Sequence, residues 1–217
     1  MISSKRLRQF LTPSKRPGII VASIGRSGST LLYRSVAEAM SMARFSRIRG
    51  RVFDEAWDLA DSTLLRGTVY KTHDHPAALA GRQDLRSLFV FGQPTDIARS
   101  VVNQRATHGD AWVAEHLAHM HADGPYEALF ERDVLRLASQ LDAWSTFTAS
   151  PVLCVRYEAL WDALDEIRAF TGLPVELPER RERESKLLGD EEEAALHTVY
   201  GALDARVAAM PDVFQPT

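Results

Sequence analysis

Short apolar runs rich in β-branched and aromatic residues stand at 19–24, 68–71, 88–91 and 152–155. Between them the apolar positions recur every three or four residues, over 30–40, 96–103, 135–148, 158–171 and 190–210. Runs of the first kind predict strands and spacing of the second kind predicts helices. The punctuation agrees. Thr95 or Asp96 is a natural N-cap after Pro94. Gly172-Leu173-Pro174 is a helix stop. Asp190, Glu191, Glu192 and Glu193 place negative charge in a first turn, where the helix dipole favours it. Leu135, Leu137, Leu141 and Trp144 give one helix a buried face. Strands alternating with helices predict an α/β fold, a parallel sheet of about four or five strands with helices on both faces. Ligands of such sheets sit beyond the carboxyl ends of the strands, so the chemistry is expected just after Ile24, Tyr70, Phe91 and Val155.

Composition narrows the class. The 217 residues are 45% hydrophobic and 25% charged, which suits a single globular domain. A net charge of −3 does not suit a general polyanion binder. No basic residues interleave with aromatics, so nucleic acid is not expected as a partner. Cys154 is the sole cysteine and lies in an apolar run, which predicts a buried structural thiol. A reducing, cytoplasmic location fits. No apolar stretch reaches bilayer length, so no transmembrane segment is expected. Residues 1–17 carry Lys5, Arg6, Arg8, Lys15 and Arg16 without a signal-peptide core and are read as a solvated basic arm. The charge run over 179–186 is read as a surface loop.

The first strand leads into Gly25-Arg26-Ser27-Gly28-Ser29-Thr30 and then a helix. Helix N-termini present amides without intrahelical partners, and the dipole adds positive potential. Gly25 and Gly28 permit positive φ and close approach to a ligand. Arg26 adds a forked cation, and Ser27, Ser29 and Thr30 add hydroxyls. This is a loop for phosphate or sulfate. It departs from the nucleotide-triphosphatase pattern, because Ser29 stands where that pattern has lysine and Ser23 where it has its first glycine. The strand at 88–91 also runs into Gly92-Gln93-Pro94 rather than an acidic residue that would hold magnesium.

The second strand runs into Lys71-Thr72-His73. A histidine there can take a proton from an acceptor, and a lysine can neutralise charge on a leaving oxygen. His75 is an alternative base. His108, His116, His119 and His121 cluster further on, without the spacing of a metal site. Gly109, Gly124 and Pro125 interrupt that stretch, which is read as an acceptor-side lid. Trp112, Tyr126, Phe130, Trp144 and Phe147 are read first as packing residues.

Taken together these elements resemble the sulfotransferase family, whose donor is 3′-phosphoadenosine 5′-phosphosulfate (PAPS). Gly25 to Thr30 is similar to its 5′-phosphosulfate loop in an arginine form. Lys71-Thr72-His73 resembles the element that carries the general base. Pro94-x-Asp96-x-x-x-Ser100 resembles the 3′-phosphate motif. Arg156-Tyr157-Glu158-x-Leu160 and Phe170-Thr171-Gly172-Leu173-Pro174 resemble a later element and its helix. The order is that of the family, from Gly18 to Pro174. The chain departs from it in the 3′-phosphate motif. Gly92 replaces an arginine, Thr95 a second basic residue, and the C-terminal arginine-lysine-glycine loop is not recognisable.

The resemblance implies a P-loop-like sulfotransferase architecture and sulfuryl transfer from PAPS to a hydroxyl or amine, releasing PAP. Its implied catalytic residues are His73, Lys71 and Arg26. Its implied donor-binding residues are Gly25, Arg26, Ser27, Gly28, Ser29, Thr30, Ser100 and Tyr157. No metal is implied. The acceptor would be a small molecule or carbohydrate, and the short chain suggests a pocket left open or completed by a second copy in a homodimer. A replacement 3′-phosphate cation is expected from Arg99, Arg105 or the stretch 180–186. The alternatives are a nucleotide- or sulfate-binding protein with lost catalysis and a P-loop kinase-like phosphotransferase.

Overall fold

Strand β1 (Gly18–Ser23) is buried at every position, as expected of a central parallel strand. In the computed structural model, which describes residues 14–43, 52–180 and 188–217, it lies at the middle of a six-stranded sheet. The other strands are β2 (Phe53–Glu55), β3 (Val69–Thr72), β4 (Leu85–Phe91), β5 (Val152–Arg156) and β6 (Val213–Phe214). Their order is β2-β3-β1-β4-β5-β6. The first five run parallel, and β6 is antiparallel to β5. The sheet has two more strands than the four apolar runs predict. Strand β2 is exposed throughout and β6 has two residues, so neither carries the apolar run that marks a buried strand.

The helices are α1 (Ser29–Ala43), α2 (Pro94–His119), α3 (Leu137–Ser145), α4 (Leu164–Thr171) and α5 (Asp190–Ala208). They cover both faces, and side-chain alternation along the strands decides which face each residue serves. Ile20, Ala22, Phe89, Phe91 and Cys154 share a cluster with Ile97, Val101, Leu141, Trp144 and Tyr200 from α2, α3 and α5. Ile19, Val21, Leu88, Val90 and Val155 point the other way, onto Leu32, Val36 and Met40 of α1 and Ile167 of α4. Cys154 is fully buried, and burial pushes its thiol up to about 12. It is the inert core thiol expected.

Three boundaries differ from expectation. Helix α2 extends to His119, and its helical path breaks at Gly109, where φ is 78°. Its N-cap is Gln93 with Pro94 as the first helical residue. Thr95 instead lies in the first turn, where its amide donates to Asp204 Oδ1 at 3.0 Å and its hydroxyl bonds the same carboxylate. A side chain of α5 thus caps α2. Helix α4 starts at Leu164, after a 3₁₀ turn at Tyr157–Ala159. Among the described residues no helix is long and apolar enough to cross a membrane.

Residues 1–13 of the basic arm lie outside the described residues. In its last part Lys15 and Arg16 are exposed, and the backbone is tethered to the body of the protein. Arg66 donates to the carbonyls of Ser14 and Lys15, and Arg16 donates to that of Gly172. Of the run over 179–186, residues 181–186 also lie outside the described residues.

The register sets the site. Ala22 aligns with Thr72 of β3 and Phe89 of β4, so these strands end level. The chain moves from β1 to one side of the sheet and later returns to its other side as β4. The loop after β1 therefore occupies the switch point, where α/β sheets open a crevice.

Candidate functional site

Backbone geometry makes the loop between β1 and α1. Gly25, Arg26 and Gly28 have φ of 76°, 42° and 82°. A Cβ on Gly28 would overlap the Tyr157 ring, and one on Gly25 would lie 2.6 Å from Met120 Sδ. Conformation therefore favours glycine at both positions, and at Gly28 the Tyr157 ring demands it for space as well. The Gly25 amide donates to Ser23 Oγ, and those of Leu31 and Leu32 to the Gly28 carbonyl. Between them, the amides of Ser27, Gly28, Ser29 and Thr30 have no acceptor among the described residues. Consecutive unpaired donors at a helix N-terminus are what an anion satisfies.

This loop forms one wall of a cavity of about 920 Å³. Arg26, Gly28, Ser29, Thr30, Lys71, His73 and Tyr157 all line it, so the structure brings together most of the site residues expected from sequence. Two expectations need correction. The Ser27 hydroxyl is 2% exposed and donates to the Val90 carbonyl at 3.0 Å, so it ties the loop to β4 rather than offering a donor to a ligand. Ser100 does not line the cavity, and its hydroxyl accepts from Arg26 Nε at 3.0 Å. It steadies the arginine, whose guanidinium also sits 5.6 Å from the Trp112 ring centre.

Strand β3 supplies the next pair. Lys71 Nζ lies 5.3 Å from the centre of the Trp57 ring. Burial depresses its pKa, Glu55 opposes that, and Arg26 and Arg34 add to it. His73 is 5% exposed. Its Nδ1 is 3.0 Å from the Ser23 carbonyl oxygen and 3.1 Å from Ser23 Oγ. A carbonyl can only accept, so Nδ1 carries the hydrogen and Nε2 the lone pair. Burial first, and Lys71 second, lower the His73 pKa to about 3, so the ring is neutral. Trp57 stacks against it at 5.3 Å. Helix α3 holds the segment from behind: Gln140 Nε2 bonds the His73 carbonyl and Trp144 Nε1 donates to that of Asp74 at 3.0 Å. His75 is not at this wall. Its Nε2 contacts Ser139 Oγ at 2.9 Å, toward α3.

Helix α2 closes the far side. Beyond the break at Gly109, Trp112, Glu115, His116 and His119 face the cavity. Trp112 stacks on His116 at 4.9 Å and His119 on Trp57 at 4.1 Å. Trp112 therefore does both, packing against the core and forming a wall of the site, whereas Trp144 is core at 0% exposure. Among the described residues no group of three His, Cys, Asp or Glu stands at metal-binding geometry.

Sequence reasoning missed Arg34, Glu38, Trp57 and Glu176, which also line this cavity or the adjoining one. Thr30, Arg34 and Glu38 repeat at four-residue spacing, so this polar face of α1 was legible. Trp57 and Glu176 lie in irregular segments with no such signal. The expected replacement cations are differently placed. Arg99 pairs with Asp96 and Glu193, and Arg105 with Asp110. Arg180 stacks over Trp161 at 5.4 Å, two residues after the cavity-lining Pro178, with no carboxylate partner among the described residues. A Cβ at Gly92 would find its nearest atoms at 3.7 Å, so space does not demand glycine there.

No protein-family model matches the chain, and no curated protein sequence matches it. Among solved structures, the chain is similar to a mouse sulfotransferase complexed with PAP, at 16% identity and a TM-score of 0.37. That likeness covers 77% of this chain and 62% of the mouse chain.

Proposed function

We propose that the cavity transfers a sulfuryl group from PAPS to a hydroxyl or amine. The observation that carries this reading is the meeting, at the switch point of the sheet, of an unpaired amide loop, two cations and a neutral histidine of fixed tautomer. The amides of Ser27 to Thr30 and Arg26 hold the 5′-phosphosulfate, with Tyr157 beside it. The acceptor's proton passes to His73 Nε2 as the acceptor atom attacks sulfur. The bond from sulfur to the bridging oxygen breaks on the opposite side, and the electron pair stays on the 5′-phosphate. Lys71 and Arg26 balance the charge growing there. Ser23 holds the other ring nitrogen, so the proton has one place to go. The low pKa of His73 reflects its burial and the neighbouring Lys71 cation. A bound anion beside Lys71 raises it toward the range of an effective base. The cations are side chains, so this step requires no metal.

A second reading, a nucleotide- or sulfate-binding protein without turnover, is favoured by the 3′-phosphate side. There Gly92 and Thr95 supply no cation, and Arg99 is tied to carboxylates. A thermal-shift panel of PAPS, PAP, adenosine phosphosulfate, ATP with magnesium, and sulfate separates these readings from a kinase. PAPS and PAP are expected to raise the melting temperature. A response to ATP with magnesium alone would point to the kinase-like alternative.

A further inference from the structure

We infer that His116 is a further hydrogen-bond donor to the oxygens of the transferring sulfuryl group; this deepens the sulfuryl-transfer reading and rests on it. The side chain is 8% exposed and lines the cavity. It packs against the anion loop, with Cε1 lying 3.6 Å from where a Cβ on Gly25 would stand. Its ring is stacked on Trp112 and set edge-on to His73 at 6.3 Å. Its Nε2 is shielded from water and has no hydrogen-bond partner. A buried polar atom left unpaired is costly and uncommon, so it calls for a partner that arrives from outside.

The surroundings define that partner. Arg26 on the loop, Lys71 on β3, and His73, His119 and Glu115 share the cavity with His116. Burial, then Arg26, His119 and Lys71, lower the His116 pKa to about 4, so the ring is neutral and holds one N–H, which the donor role places on Nε2. The ligand must therefore accept from Arg26, Lys71, the loop amides and an imidazole N–H together. A tetrahedral or trigonal oxyanion does this. His73 already accepts the acceptor's proton, so a second lone pair has no role. In the step proposed above, the acceptor–sulfur bond forms, the bond from sulfur to the bridging oxygen breaks, and the proton goes to His73. His116 keeps its hydrogen throughout and strengthens its bond as charge builds on the sulfuryl oxygens.

Inorganic sulfate tests this on the full chain. His116→Phe keeps the stack on Trp112 and removes the donor, while His116→Gln returns an amide N–H near the position of Nε2. By calorimetry at fixed ionic strength, the Phe variant is expected to bind sulfate about tenfold more weakly, and the Gln variant to recover most of that loss. Parental sulfate affinity in the Phe variant, or equal loss in both variants, overturns the inference. The His116 Nε2–H resonance of the unaltered protein gives a reading that no folding defect can mask: sulfate should move it downfield, and an unmoved resonance overturns the inference too. If sulfate binding needs Arg26 but not His116, the donor role fails and sulfuryl transfer stands. If sulfate binding needs His116 while PAPS and PAP leave the melting temperature unchanged, sulfuryl transfer fails and the oxyanion-donor role stands.

Discussion

At the scale of single residues, the proposed reaction divides the work between Arg26, for binding, and His73, for chemistry. Arg26→Ala should weaken PAP by roughly ten- to a hundredfold, the loss of a charge-assisted contact, with the fold retained; calorimetry checks it. His73→Ala should leave PAP affinity nearly intact and lower transfer by roughly 10²–10⁴. Lys71→Met should lower transfer as well. Parental turnover by the His73→Ala enzyme would move the base elsewhere, although His75 now faces α3. The same histidines set an acid limit on stability. His73 and His116 titrate near 3 and 4 in the folded protein, against 6.5 unfolded. Between those values the unfolded chain binds more protons, so the contribution of these two rings to stability falls as the pH drops below about 6.5 and is constant above it. Each group contributes a slope of up to about 1.4 kcal/mol per pH unit. Urea midpoints from pH 7 to pH 4.5 should fall less steeply for His116→Phe than for the parent. Equal slopes would refute the buried neutral state of that ring.

At the scale of elements, α5 and α3 hold the segments that carry the site without touching a ligand. Asp204 of α5 takes both the amide and the hydroxyl of Thr95 and so caps α2. Asp204→Ala should cost about 1–2 kcal/mol in urea unfolding, as the loss of a cap does. Glu193→Ala should cost less, about 1 kcal/mol or under, because its two-pronged pair with Arg99 is only partly buried and leaves the α2 N-terminus capped. If the two variants lose the same stability, Asp204 is not acting as a cap. Such long-range caps leave no trace in sequence. Thr95 is a sound N-cap by residue type, and only the fold shows that the cap comes from position 204. The strands β1, β3, β4 and β5 were legible because each is an apolar run buried on both faces. Strand β2 was not, since all of its residues are exposed. Lys71 and His73 could be placed from sequence because both leave a legible strand. His116 could not be assigned a role, because its meaning comes from Gly25 and His73, which are distant in the chain.

At the scale of the whole molecule, two helical layers around one mostly parallel sheet bring the ends of β1, β3 and β4 level, and the cavity follows from that register. The fold class was readable from the alternation of strand and helix signals. The 3′-phosphate side was not, because its cations depend on pairing that only tertiary structure shows. Arg99 and Arg105 are held by carboxylates. The proposed 3′-phosphate cation is therefore Arg180, which adjoins the cavity edge, with Arg181, Arg183 and Lys186 lying outside the described residues. The most direct test is a calorimetric titration of PAP beside AMP at fixed ionic strength, since salt screens such contacts. Both ligands should bind saturably, with PAP clearly tighter. No binding of PAP, or equal affinity for PAP and AMP, would contradict PAPS as the donor.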